Sequence, residues 1–151
     1  MRRFIAVVLI FSVALAIVGT YISRPPQTQS LVAGNCLPTD SRAIQRTIIE
    51  QTRAMSSQDF QLARSYASDS FRSRISEMQF ARIISQGYEI LLQDPRVTFN
   101  SCEQFDDQLV RVSATFNVGG ETVDLQYTLI NESSGWFIDS ASRPGNNTLT
   151  V

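Results

Sequence analysis

The 151-residue chain contains no histidine and no lysine, and all 13 of its basic residues are arginines. Without histidine there is no imidazole base, no serine–histidine or cysteine–histidine pair, and no imidazole ligand for a metal. Without lysine there is no Schiff base and no P-loop lysine. These absences exclude several common classes of catalytic mechanism, and the sequence predicts no cofactor.

Positive charge is also scarce in the part of the chain that should fold. Once residues 1–24 are set aside, 10 arginines stand against 14 acidic residues, which gives a net charge of −4. A protein that binds nucleic acid should present a basic surface. We therefore expect no nucleic-acid partner.

Residues 4–23 contain no charged side chain and follow Arg2 and Arg3. A helix rises about 1.5 Å per residue, so this length covers the roughly 30 Å hydrocarbon core of a membrane. The arginines before it favour a cytoplasmic N-terminus. The sequence thus predicts a signal anchor over 1–24, in a single-pass cell-membrane protein whose domain lies outside. The alternative is a signal peptide cleaved at the A-x-A site of residues 14–16, which would give a secreted protein.

The remaining chain divides into three predicted parts. Residues 25–38 are rich in proline and small polar residues and are predicted as a flexible stalk. Residues 39–143 have the length of a single domain, and 144–151 are predicted as a loose tail. The chain has two cysteines, Cys36 and Cys102. In an oxidising compartment such a pair is most economically a disulfide, whereas a thiolate metal site usually needs a second cysteine close by.

Helical signals fill the first half of the predicted domain. Residues 39–41 (TDS) offer N-cap candidates for a first helix. Residues 56–59 (SSQD) end it and cap a second. Ser76 and Gln79 have the spacing of a capping box that starts a third helix, and Gly87 is predicted as the left-handed residue that ends it.

After Pro95 the apolar period changes from 3.6 residues to 2. Four strands are predicted, at residues 97–101, 110–118, 123–129 and 136–138. Gly119 and Gly120 join the middle two as a tight hairpin. Alternation with one apolar face is typical of an antiparallel sheet with one covered face. The sequence predicts an α+β fold, with about three helices packed on one face of a curved antiparallel sheet of about four strands.

Three segments of this domain form a distinctive pattern: ARSYA at residues 63–67, an aromatic-flanked segment at 80–88, and GWFID at 135–139. In that order, over residues 40–141, they resemble the nuclear transport factor two-like (cystatin-like) superfamily. The chain is most similar there to uncharacterised small exported bacterial domains. The resemblance implies a cone-shaped α+β fold. Function is left open, because the superfamily includes isomerases, dehydratases, hydrolases and non-catalytic binding domains.

The predicted inner face of the sheet carries no carboxylate. The charged side chains Arg111 and Asp124 fall on the opposite face. Asp139 is predicted as a solvated acid at a strand end, with a place at the rim of the cone as the alternative. The acids Glu103, Asp106 and Asp107 are predicted as a polar loop without the spacing of a calcium site. The sequence therefore predicts no catalytic residue and no metal site.

If the cone is open rather than filled, four side chains are predicted to line it: Phe80, Ile84, Tyr127 and Trp136. The Tyr127 hydroxyl is expected to bond to a backbone carbonyl, with donation to a substrate oxyanion as the alternative.

The leading interpretation is a non-catalytic accessory or binding domain tethered to the membrane through residues 4–23, with a protein partner or a second copy as a further option. One alternative is a binder of small apolar ligands or lipids that uses the cone. A second is an enzyme of the isomerase or hydrolase type.

Overall fold

The structure is a computed structural model, and it describes residues 34–145. The predicted anchor at 1–24, most of the predicted stalk and the end of the tail lie outside these residues. Within 34–145, no helix has the length and apolar character needed to cross a membrane.

The described residues form an α+β fold in which, after one two-residue strand, helices are followed by strands, as predicted. The strands are β1 (Gly34–Asn35), β2 (Arg96–Gln104), β3 (Leu109–Val118), β4 (Glu121–Glu132) and β5 (Gly135–Ser142). The helices are α1 (Pro38–Ser56), α2 (Phe60–Ser65), α3 (Asp69–Arg74) and α4 (Glu77–Gly87), with a 3₁₀ helix (Glu89–Leu92) after them. The predicted counts of three helices and four strands were too low, because the short elements α3 and β1 were not foreseen.

The sheet is open and follows chain order, β1-β2-β3-β4-β5, with antiparallel pairing between neighbours. The hairpin between β3 and β4 is confirmed. Gly119 and Gly120 have φ angles of 58° and 96°, a region that glycine enters without steric penalty. This turn fixes the register of the two longest strands, in which Val118 lies opposite Glu121.

The predicted division of the sheet into an inner and an outer face is also confirmed. Seven side chains of β3 and β4 face the helices and are at most 1% exposed: Val110, Val112, Ala114, Phe116, Leu125, Tyr127 and Leu129. Arg111 and Asp124 lie exposed on the other face. Helices α1 and α4 cover the inner face with the buried side chains Ile44, Ile48, Met55, Phe80 and Ile84.

Two predicted helix starts are confirmed and one is wrong. The Asp59 carboxylate accepts a hydrogen bond from the Leu62 backbone amide at 2.9 Å and so caps α2. Ser76 and Gln79 form the full capping box of α4. Helix α1 instead begins at Pro38, after Leu37, and has no side-chain cap. Proline suits a first helical position because its φ is already helical and its missing N–H needs no partner.

The predicted left-handed ending at Gly87 is wrong. Gly87 is the last residue of α4 and does not have a positive φ, and Tyr88 follows with a φ of −138° and a ψ of 41°. Its backbone amide donates to the Ile84 carbonyl at 2.9 Å. The chain then continues directly into the 3₁₀ helix, which positions Tyr88 beside the sheet.

The predicted disulfide between Cys36 and Cys102 is confirmed, with 5.5 Å between the two Cα atoms. The Cys36 amide also donates to the Cys102 carbonyl at 3.2 Å. The two residues of β1, Gly34–Asn35, pair with Gln104 and Glu103 of β2. Pairing with the sheet thus begins inside the range predicted as stalk, because the disulfide holds this short segment against the sheet edge.

Candidate ligand-binding pocket

A partly open cavity of about 180 Å³ lies between the helices and the inner face of the sheet. Most of its wall is apolar: Met55, Ala67, Phe71, Phe80, Ile83, Ile84, Leu91, Ile138 and Ala141. The polar part of the wall consists of Gln51, Tyr88, Tyr127, Asp139 and Ser140. The core between the helices and the sheet is therefore incompletely filled.

Helix α4 forms one wall of the cavity. Phe80 and Ile84 are four residues apart and so lie on the same face of the helix. The ring of Phe80 makes edge-to-face contacts with Phe60 and Phe71, with centroids 6.4 and 5.8 Å apart. These rings fill the space between α2, α3 and α4. They hold α4 in place on the side of the cavity away from the sheet.

Tyr127 of β4 lies in the opposite wall. Its side chain is 1% exposed, and its ring packs at 6.1 Å from that of Phe116. The expected backbone partner is absent: within the described part of the chain, the buried Tyr127 hydroxyl has no hydrogen bond. Burial, and to a lesser degree the neighbouring Tyr88, raise the pKa of the Tyr127 hydroxyl far above its ordinary value. It is thus a protonated donor at physiological pH.

Tyr88, also in the wall, differs from Tyr127 because its hydroxyl is paired. It donates to the Ala141 carbonyl at 3.2 Å, and Ala141 is the residue opposite Tyr127 in the sheet. The guanidinium of Arg143 lies 5.9 Å from the centre of the Tyr88 ring and donates to the Gly87 carbonyl at 2.9 Å. These contacts tie the end of α4 to the end of β5.

Asp139 reaches the pocket wall because β5 is bulged. Thr128 pairs with Ser140 while the next residue of β4, Leu129, pairs with Ile138, so Asp139 is the extra residue. Such a bulge redirects side chains. Asp139 Oδ1 accepts a hydrogen bond of 2.6 Å from the hydroxyl of Ser68, which is fully buried. The prediction of a solvated strand-end acid was wrong, because simple alternation does not account for a bulge.

The connection between α2 and α3 closes the open edge of β5. Ala67 forms a parallel bridge with Ile138, the Ser68 amide donates to the Ile138 carbonyl at 2.9 Å, and the Ile138 amide donates to the Tyr66 carbonyl at 2.9 Å. The guanidinium of Arg72 donates to backbone carbonyls of this connection, including that of Ala67.

Three of the four residues predicted to line a cavity are together in its wall: Phe80, Ile84 and Tyr127. The fourth, Trp136, is not among the wall residues. It faces the core two residues before Ile138, roughly 6.5 Å further along β5, where its carbonyl accepts from the Thr47 hydroxyl at 3.1 Å. Phe71, Ile83 and Tyr88 were not among the predicted wall residues. The apolar spacing of α4 could have identified Ile83, whereas α3, which carries Phe71, has no apolar period.

The acids predicted as a polar loop lie on two different elements. Glu103 belongs to β2, which extends beyond the predicted end at residue 101 and places the Glu103 carboxylate 3.8 Å from the Arg111 guanidinium. Asp106 accepts from the Gln108 amide at 2.8 Å in the turn before β3. Within residues 34–145, no group of three or more histidine, cysteine or acidic residues is arranged to hold a metal ion.

A protein-family model matches residues 38–147, which is more than half of the chain and nearly all of the described domain. The chain belongs to the family described as "Domain of unknown function (DUF4864)". No curated protein matches this DUF4864 chain. Among solved structures, it is similar to a phospholipid-binding protein from Ralstonia solanacearum in complex with a phospholipid. The identity is 18%, over 70% of this chain and 78% of the other, with a TM-score of 0.45. A likeness at this level does not establish a shared fold.

Proposed function

We propose that this domain binds a small apolar ligand, such as part of a lipid, in the cavity between its helices and its sheet. The cavity of about 180 Å³ with a mainly apolar wall is the observation that carries this proposal. Well-packed cores contain few voids larger than a water molecule. A space of this size is therefore unusual in a domain of about 110 residues, and a bound ligand would fill it.

The cavity volume limits the size of the occupant. An engineered apolar cavity of about 150 Å³ stays dry and binds benzene. A cavity of about 180 Å³ suits a single ring or a short stretch of hydrocarbon chain. A whole phospholipid is too large for it. Because the cavity is partly open, one end of a longer chain would fit inside while the rest stays outside.

The polar groups in the wall support binding more than catalysis. Asp139 already accepts a short hydrogen bond from Ser68. The raised pKa of Tyr127 keeps its hydroxyl protonated at neutral pH, so it does not act as a base. A non-catalytic binding domain uses these groups without moving a proton between them.

We further propose that the domain works outside the cytoplasm, attached to the membrane through residues 4–23. The Cys36–Cys102 disulfide supports this location, because such bonds persist in oxidising compartments. Helices that cover one face of an antiparallel sheet also support placing the fold in the nuclear transport factor two-like superfamily. Protease accessibility in intact cells tests the location, since external protease should digest the domain and leave cytoplasmic controls intact.

Ethylbenzene, an uncharged probe close in size to benzene, tests the binding proposal. The full-length protein in lipid nanodiscs, with isoleucine methyl groups labelled, should show saturable shifts for Ile83, Ile84 and Ile138 in an NMR titration. An apolar ligand of this size should bind with a Kd of roughly 0.1 to 1 mM, which corresponds to about −5.5 to −4 kcal/mol. Native mass spectrometry of protein extracted from membranes would then identify a natural ligand.

Two phenylalanine variants make this test specific for the cavity. Ala141 lies in the wall and opposite Tyr127, so Ala141→Phe directs a ring into the cavity. Ser142→Phe is the matched control, because successive side chains of a strand point to opposite faces. The proposal requires that Ala141→Phe abolishes the ethylbenzene shifts and that Ser142→Phe retains them. Wild-type protein without saturable shifts would refute it.

A further inference from the structure

The Tyr127 hydroxyl, which has no hydrogen-bond partner within residues 34–145, distinguishes this pocket from a purely apolar void. Resting on the proposed function, we propose that the ligand carries an uncharged acceptor oxygen on its apolar body. A ketone, ester or amide carbonyl would meet this description. In the complex, this oxygen accepts a hydrogen bond from Tyr127 Oη.

The first argument is the state of the Tyr127 hydroxyl. A buried donor without a partner is unfavourable, and the great majority of buried polar groups are hydrogen-bonded. Tyr127 is 1% exposed and lies in the cavity wall, yet its hydroxyl has no partner in the part of the chain that the structure describes. An acceptor oxygen on a ligand that lies against this side chain would supply the missing partner.

Neighbouring protein groups already have other partners. The carbonyl of Ala141, opposite Tyr127 in the sheet, accepts from the Tyr88 hydroxyl. The Asp139 carboxylate accepts from Ser68, which in turn accepts from the Phe71 amide at 3.0 Å. The wall therefore contains two tyrosines, and within the described residues the Tyr88 hydroxyl has a partner whereas the Tyr127 hydroxyl has none.

The charge of the wall excludes an anionic ligand group. Among the described residues, no arginine lies in the cavity wall, and Asp139 is the one charged side chain there. A carboxylate or phosphate placed inside would be desolvated without a counter-ion and close to a like charge. An uncharged carbonyl needs no counter-ion, and the hydroxyl, whose pKa is raised by burial, stays protonated to donate to it.

Three probes of similar shape compare a purely apolar ligand, an uncharged acceptor and an anion: ethylbenzene, acetophenone and benzoate. Their affinities are compared by methyl NMR for full-length wild type, Tyr127→Phe, and the control Tyr66→Phe, which makes the same change outside the cavity wall. One neutral hydrogen bond corresponds to about a twofold to tenfold change in affinity. Tyr127→Phe should therefore weaken acetophenone relative to ethylbenzene by about that factor, whereas Tyr66→Phe should leave their ratio unchanged. Benzoate should bind wild type more weakly than acetophenone.

The outcomes distinguish this inference from the proposed function. Ethylbenzene binding with the same acetophenone-to-ethylbenzene ratio in wild type and Tyr127→Phe would overturn the inference and leave the apolar pocket standing. Benzoate binding tighter than acetophenone would also overturn it. Absence of binding by all three probes would refute both proposals.

A measurement on wild type alone covers the case in which Tyr127→Phe does not fold. The carbonyl stretch of bound acetophenone should move to a lower wavenumber than in a hydrocarbon solvent, because its oxygen accepts a hydrogen bond. An unshifted band would overturn the inference.

Discussion

Two tyrosines in the same pocket should respond in opposite directions when each is changed to phenylalanine. Both changes remove a single hydroxyl and keep the ring. Tyr88 loses a hydrogen bond of 3.2 Å to the Ala141 carbonyl. Tyr127 loses a buried hydroxyl that has no partner among the described residues. The comparison isolates the effect of hydrogen-bond pairing from that of ring packing.

The expected magnitudes follow from that pairing. A net hydrogen bond contributes about 0.5–1.5 kcal/mol, so Tyr88→Phe should lower the free energy of unfolding by about 1 kcal/mol. An unsatisfied buried polar group costs about 1–3 kcal/mol, so Tyr127→Phe should raise that free energy by about 1 kcal/mol. The two variants should thus differ by about 2 kcal/mol. With a urea dependence of about 1–3 kcal/mol per molar, this gap is roughly 1 M in midpoint.

Urea unfolding of the full-length protein measures this gap without a bound ligand. Trp136 is the single tryptophan of the chain and is buried in the core, so its fluorescence reports on the domain. Equal destabilisation by both variants would refute the reasoning, because it would mean that the Tyr127 hydroxyl is paired in the free protein. Unchanged slopes of the transitions would show that both variants unfold in the same way.

Three further results are expected from the same unfolding assay. Replacing Cys36 and Cys102 by serine should lower the free energy of unfolding by about 4 kcal/mol on the chain-entropy model; an unchanged midpoint would contradict this. Ser68→Ala should lower it by about 1–2 kcal/mol, because the α3 cap and the bond to Asp139 are both lost; a neutral result would contradict it. Above pH 10 Tyr127 ionises in the unfolded chain but stays protonated in the folded protein. The free energy of unfolding of wild type should therefore fall with pH by up to about 1.4 kcal/mol per pH unit more than that of Tyr127→Phe. Parallel curves of this free energy against pH would contradict the prediction.

The sheet was largely predictable because its signals are periodic. Alternation over β3 and β4, with the Gly119-Gly120 turn between them, determined register, hairpin and inner face. A sequence with a period of 2 has only two ways to orient a strand, and only one of them buries the apolar set. The capping box at Ser76 and Gln79 was predictable for a similar reason, since it is a local pairing at fixed spacing.

The site was less predictable because its polar groups depend on irregular structure. The bulge that brings Asp139 into the wall is visible only in the pairing of β5 with β4. Helix α3 has six residues, none of them buried, and so leaves no apolar period to detect. The pairing of Tyr88, and the lack of a partner for Tyr127 among the described residues, depend on contacts between distant parts of the chain, which no spacing rule describes.

The central claim is that the cavity between helices and sheet is a binding site for an apolar ligand. Intermolecular NOEs between ethylbenzene and the full-length protein test it most directly. The account predicts NOEs from ethylbenzene protons to the methyl groups of Ile84 and Ile138 and to the ring of Tyr127. Saturating ethylbenzene that gives no NOE to these side chains, or NOEs only to residues outside the cavity wall, would contradict it.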